Sequence, residues 1–443
     1  MRLGEETVLI ASVLKWFVIA TVVGVVVGSS TYLFISILEW GYSVRPTYYF
    51  FTLPFALFLV ALIIEVFDKN AAGYGTEKVI EAVHKYSGRI NVKVVPVKMV
   101  ATIVTILAGG SVGKVGPCAQ IGAGLASLMA DIFRLNDTDR KKIVICGISA
   151  GFSAIFGAPI AGAIFGIEVL FVGAMFYDVL LPSFVAGIIG YQTATYLGLS
   201  HPYYPIHHVM NFTETFFVEV ALAGIFFGIV SIVLIEFMGW TRRVASMLDI
   251  WTPYRALIGG IVLVALGMLF SQDYFGVGEP VVESVLLGGD VFLAAFLLKI
   301  LFTAITFGAG GTGGMISPLF FIGATAGYFF ATLFGLKTDV FSAIGLVSLL
   351  AGAANTPITG SIMAVELFGP KIAPYAAVAC IISFLITGHR SLFPTQIVAM
   401  KKAAPLEVEL GKVIEEITPT VKKTPLSARL TAILERIRGL FKR

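Results

Sequence analysis

The residues of this chain best placed to do chemistry are backbone amides. Two glycine-rich stretches, Gly113-Lys-Val-Gly-Pro117 and Gly313-Gly-Met-Ile-Ser-Pro318, each end on a proline. Proline fits the first turn of a helix, because its missing N–H would have no partner there. Each stretch therefore reads as a chain break that opens a helix. The opening N–H groups of a helix lack intrahelical acceptors and carry the positive end of its dipole. Such amides bind an anion without any fixed charge. Glycine costs a helix interior about 1 kcal/mol relative to alanine. In hydrocarbon an unpaired amide costs several kcal/mol more, so a break survives only where it is packed in protein or lines a wet cavity. The competing reading is that the glycines only let helices approach closely. That reading suits Gly122, Gly124, Gly162 and Gly360. The clusters before Pro117 and Pro318 read better as an anion site.

The two breaks belong to two copies of one unit. An offset of 201 carries Lys98 onto Lys299, Gly113 onto Gly314 and Pro117 onto Pro318, and the match runs on through Ile121-Gly-Ala123 and Ile322-Gly-Ala324. A second pair, at an offset of 198, sets Pro159 through Glu168 against Pro357 through Glu366. A weaker third pair is Gly73-Tyr-Gly75 and Gly276-Val-Gly278. Duplicated membrane units with broken helices are the signature of transporters, and such repeats are often inverted, so that both breaks point at one site.

Composition sets the class. Hydrophobic residues make up 57% of the chain and charged residues 13%, against about 25% charged in soluble domains. Apolar runs approaching or exceeding the ~20 residues of a bilayer span cover 11–39, 47–67, 215–237, 252–270 and 371–388. The chain is read as an all-α polytopic membrane protein, with no removable signal peptide. Its expected divisions are an N-terminal cytoplasmic segment (1–10), a first repeat (11–198), a loop (199–214), a second repeat with a final pore segment (215–398) and a basic tail (399–443). Residues 401–443 hold ten Lys/Arg and five Glu, a net of +5, which leaves the rest of the +4 chain at −1. That asymmetry predicts a cytoplasmic C-terminus. Apolar residues at helical spacing from Leu426 to Phe441 suggest either an amphipathic helix on anionic lipid or a solvated tail.

The side chains exclude more than they offer. Cys118, Cys146 and Cys380 show no metal spacing and read as small buried hydrophobes. His207-His208 lies in a polar loop. No Ser-His, Cys-His or metal constellation falls in the apolar segments, so an intramembrane enzyme has no machinery, and a receptor has no ligand-binding domain. Neither cofactor, metal nor nucleic-acid partner is expected. Cation transport would leave acidic residues in the membrane. Only Glu168 and Glu366 stand out there, and their equivalent positions at helix ends suit a cap or an interface partner better.

At this point the motifs resemble the CLC family of chloride channels and proton–chloride exchangers. The family's Gly-Arg-Glu-Gly-Pro and Gln-Ile-Gly-Ala patterns resemble Gly113-Lys-Val-Gly-Pro117 and Gln120-Ile-Gly-Ala123. Its Gly-Gly-Ile-Phe-x-Pro resembles Gly313-Gly-Met-Ile-Ser-Pro318. Its Gly-Ser-Gly-Ile-Pro resembles Gly73-Tyr-Gly-Thr-Glu77, and its late pore tyrosine falls at Phe393. The resemblance covers about residues 11–398. It implies an inverted-repeat fold with broken and re-entrant helices, a homodimer with one pathway per subunit, and chloride or another small anion as substrate. The anion-binding positions it implies are Tyr74, Gly75, Gly113, Lys114, Val115, Gly116, Pro117, Gly314, Met315, Ile316, Ser317 and Phe393. The departures bear on mechanism. Val115 stands where the family has its gating glutamate, and Val169 where exchangers have their internal proton glutamate. Valine holds no proton, so the expectation is passive anion transport, the alternative being a proton-coupled antiporter that uses Glu168 or another carboxylate. The family's cytoplasmic nucleotide-binding pair has no room in 43 tail residues.

Overall fold

The computed structural model describes residues 2–201, 203–206 and 213–422. Sixteen α-helices among the described residues fall into two sets of eight. The first set is α1 (Arg2–Val44), α2 (Leu53–Phe67), α3 (Thr76–Lys85), α4 (Val94–Leu107), α5 (Val115–Ile132), α6 (Asp137–Phe156), α7 (Pro159–Glu168) and α8 (Leu180–Tyr196). The second is α9 (Glu214–Met247), α10 (Thr252–Leu269), α11 (Glu279–Leu286), α12 (Ala295–Ala309), α13 (Ile316–Phe334), α14 (Thr338–Ala354), α15 (Pro357–Phe368) and α16 (Ala373–Thr387).

The packing repeats with the sequence. α1 lies on α8 as α9 lies on α16, α5 on α6 as α13 on α14, and α4 on α5 as α12 on α13. Across the repeats α2 meets α10, α7 meets α15, and α5 touches α13. Small residues make the helix contacts close. A Cβ on Gly122 would run into the Gly147 carbonyl, and one on Gly323 would stand 2.5 Å from the Gly345 carbonyl, so the small-residue reading of such positions holds.

Six of the described helices are long and apolar enough to cross a bilayer. Two of them, Val115–Ile132 and Ile316–Phe334, are absent from the apolar runs read above. Their most apolar windows are 78% and 83% buried in protein. A helix surrounded by protein needs small packing residues more than greasy ones, and glycine dilutes its apolar signal. Conversely, the run at 371–388 folds as the 15-residue α16, too short for a straight span. α1 starts at Arg2, so the N-terminal segment expected over 1–10 is, from Arg2 on, the first turns of a 43-residue helix.

The stretch after α16 folds back onto the membrane part. Ile397–Val398 pairs in parallel with Phe171–Val172. Lys402, counted above with the basic tail, is buried, and its ammonium donates to Asn355 Oδ1 (2.6 Å) and the Phe384 carbonyl (2.7 Å). The His207-His208 pair and the 426–441 pattern lie outside the described residues. All three cysteines are buried and unpaired.

Candidate anion pathway

Each break brings its helix start to the other. Gly113 N–H donates to the Gly314 carbonyl (2.7 Å) and Gly314 N–H to the Gly113 carbonyl (2.6 Å), a reciprocal pair with local twofold symmetry. α5 and α13 therefore begin side by side, at Val115 and Ile316, with Pro117 and Pro318 third in each. This corrects one expectation. The amides of Gly113 and Gly314 are spent on each other and cannot serve an anion; they fasten the two starts together. The amides left for a ligand are those of the first turns, Val115, Gly116, Ile316 and Ser317. Lys114 and Met315 are the residues just outside, their carbonyls already accepting from Cys118 (3.2 Å) and Leu319 (3.0 Å). Glycine is required at Gly116, where a Cβ would collide with the Tyr74 carbonyl and stand 2.9 Å from Gly314 Cα.

That contact shows a third strand of backbone converging here, the loop Gly73-Tyr-Gly75. Its glycines take φ of 73° and 84°, and the matching Gly276 and Gly278 take 59° and 80°. Gly75 opens α3 as Gly278 opens α11. Both loops are held by buried lysines, which the motif reading passed over. Lys98 Nζ donates to the carbonyls of Ala71 (3.1 Å) and Gly73 (2.8 Å) and to Thr312 Oγ1 (2.7 Å). Lys299 Nζ donates to the carbonyls of Tyr274 (3.1 Å) and Gly276 (2.8 Å). Both are fully buried, and no carboxylate pairs with either among the described residues. Two buried lysines, each tied to backbone carbonyls, thus flank the breaks. Their repeat-related spacing, each 15 residues before its bridging glycine, was the available signal.

Tyr74 is buried, its ring edge-on to Phe307 (4.6 Å between centroids) and covered by the Arg242 guanidinium at 4.4 Å. Arg242 in turn bonds Glu77 (3.2 Å). Nothing in the motifs pointed to Arg242, because it comes from α9 and has no charged mate in the first repeat. Phe393 is buried in the turn after α16, its N–H donating to Ser391 Oγ (2.9 Å). Thr395 Oγ1 donates to the Glu77 carbonyl (3.0 Å), which sets this turn beside the start of α3. No polar or ring contact joins Phe393 to Tyr74 among the described residues.

Val115 and Val169 are both fully buried. The Val169 carbonyl accepts from Gln396 Nε2 (2.8 Å). Its neighbour Glu168 is fully engaged. Oε1 accepts from Ile358 N–H (3.0 Å), and Oε2 accepts from Thr359 N–H (2.8 Å) and Thr359 Oγ1 (2.6 Å). Glu366 returns the arrangement, accepting from Ile160 N–H (2.9 Å) and Ala161 N–H (2.8 Å). Each glutamate sits in the last turn of a helix of one repeat and caps the start of the matching helix of the other.

A chloride-channel family model, described as voltage gated chloride channel, matches residues 56–388. The chain belongs to this family, the CLC proteins. Among curated relatives, a chloride/fluoride channel protein of Pseudomonas syringae pv. tomato is 35% identical over 93% of each chain. A voltage-gated ClC-type chloride channel, ClcB, of Salmonella typhimurium is 26% identical over 68% of this chain and 74% of its own. Among solved structures, a CLC-type fluoride/proton antiporter superposes with a TM-score of 0.83 at 26% identity, over 87% of this chain and 98% of the other. A slow cyanobacterial Cl⁻/H⁺ antiporter shares the fold at 18% identity and a TM-score of 0.73. This CLC protein is thus a multi-pass integral membrane protein of a family that transports small anions.

Proposed function

We propose that this CLC protein passes chloride or fluoride down its gradient without obligatory proton exchange. The observation that carries the reading is the state of the two positions where family exchangers hold protons. Val115 and Val169 cannot titrate, and the carboxylate next to Val169, Glu168, is bound by three donors as a helix cap. An antiporter that used Glu168, rather than another carboxylate, would need it to release its cap at every turnover, losing hydrogen bonds worth up to about 1.5–3 kcal/mol each. The buried Lys98 and Lys299 hold the two glycine loops in place beside the breaks. In the same reading the molecule is a homodimer with one pathway per subunit and a cytoplasmic C-terminus.

The test is purified protein in liposomes, with halide flux and pH recorded together under a chloride and then a fluoride gradient. Anion flux without stoichiometric proton movement is expected; a fixed proton-to-anion ratio rules passive transport out. In the same assay Val115→Glu slows flux, because a tethered carboxylate competes with the anion at the amides of the first turns. Acid relieves that inhibition, since protonation removes the competing charge. Flux of Val115→Glu equal to wild type at all pH values would mean that Val115 does not face the pathway.

Tyr74 is the side-chain hydroxyl proposed to face the anion. A hydrogen bond to a charged group contributes about 1.5–3 kcal/mol, so Tyr74→Phe weakens halide binding by roughly tenfold or more. Titration calorimetry checks this. Unchanged binding would make Tyr74 a packing residue under Arg242 and leave the site to backbone.

A further inference from the structure

Beside the paired helix starts, a cavity of about 280 Å³ is lined by Lys114, Ser317, Phe320, Glu279, Glu283 and Glu39, among others. Across it Lys114 Nζ meets Glu279 Oε1 at 2.8 Å. The lysine stands one residue before Val115, at the threshold of α5. The carboxylate belongs to the other repeat, on the first residue of α11. The pair has no counterpart on the opposite side of the pseudo-twofold axis. The repeat offsets carry Lys114 onto Met315 and Glu279 onto Thr76. At this mouth the cation stands directly before the helix start, and a carboxylate of the other repeat closes on it. Ser317 lines the same cavity, is 7% exposed, and its hydroxyl has no hydrogen-bond partner among the described residues. The cavity therefore offers an anion a lysine, an uncommitted hydroxyl and the first turn of α13, and the occupant of the lysine in this structure is the Glu279 carboxylate.

We infer that Glu279 is a tethered gate supplied by the second repeat, and that an anion enters by displacing it from Lys114. The inference rests on the anion-transport reading above and goes beyond it in naming what guards the mouth. The strength of the contact suits displacement. The side chains of Lys114 and Glu279 are 20% and 59% exposed, and a pair so open to water is worth at most about 1 kcal/mol. A latch this weak yields to an anion that the lysine and the first turn of α13 bind together. Glu283 and Glu39 line the cavity without pairing with a cation among the described residues. They lower the local potential for anions generally, whereas Glu279 competes for one group.

The experiment measures halide flux against halide concentration for the full chain in liposomes, for wild type, Glu279→Gln, Glu283→Gln, Lys114→Gln and the Glu279→Gln, Lys114→Gln double variant. Glu279→Gln is expected to lower the half-saturating concentration by roughly 1.5- to 5-fold, the equivalent of an exposed ion pair. Lys114→Gln raises it and cancels the effect of Glu279→Gln in the double variant, because the gate acts only through the lysine. Glu283→Gln, which removes the same charge from the same cavity, moves it less. Equal shifts from Glu279→Gln and Glu283→Gln, or none from Glu279→Gln in a protein that conducts, overturn the gate and leave the transport reading intact. Absence of flux from wild type and every variant overturns the transport reading and the gate with it.

Discussion

Gly314→Ala is expected to abolish anion flux while leaving the helical content of the protein unchanged. The added Cβ would stand 2.5 Å from Gly116 N and 3.0 Å from Pro117 Cδ. Both atoms belong to the start of α5, which cannot swing aside like a flexible side chain. To make room, the two helix starts must separate, and the reciprocal bonds between Gly113 and Gly314 break. Each buried group so orphaned costs about 1–3 kcal/mol, and the amides of Val115, Gly116, Ile316 and Ser317 no longer converge. Flux and halide titration report the loss, and circular dichroism reports that the helices remain. Gly239→Ala is the matched control, since a Cβ there meets nothing within 4 Å and alanine is the better helix former. Wild-type flux from Gly314→Ala would mean that the bridge does not shape the pathway.

The second large effect falls on stability. Glu168→Ala leaves two amides and the Thr359 hydroxyl without their acceptor in a site where Glu168 is 5% exposed. At about 1–3 kcal/mol for each unsatisfied group, the total is at least about 3 kcal/mol, a large share of the margin by which proteins stay folded. Glu366→Ala removes two bonds from a partly exposed site, where water can stand in, and costs less. Thermal denaturation in detergent should rank wild type above Glu366→Ala and Glu366→Ala above Glu168→Ala. If instead Glu168→Ala melts like wild type but alters proton movement, the carboxylate is a proton carrier and the cap reading fails.

The sequence was most informative where the duplication repeated itself. Gly113 and Gly314 were recognisable as partners because one offset joins them, and the fold follows that offset in two matching sets of eight helices among the described residues. Glu168 and Glu366 were legible as caps for the same reason, although nothing in the chain said that each would cap the other's repeat. Legibility failed where function departs from symmetry. Arg242 over Tyr74 and Glu279 on Lys114 each join residues far apart in sequence, and neither pair has a repeat mate to flag it. The amides of Gly113 and Gly314 were misread as free because a helix start is locally open. Only the arrival of the opposite repeat shows that those two donors are taken.

The exchanged caps also bear on biosynthesis. Glu168 leaves the ribosome 191 residues before Thr359. At about 5–20 residues per second, the first half waits roughly 10–40 s in the bilayer with a carboxylate lacking its donors and with α7 lacking its acceptor. During that interval the nascent half has the same vacancies that a second copy of itself could fill. Until Ile358 and Thr359 are made, Glu168 has none of the three donors that hold it in the finished fold.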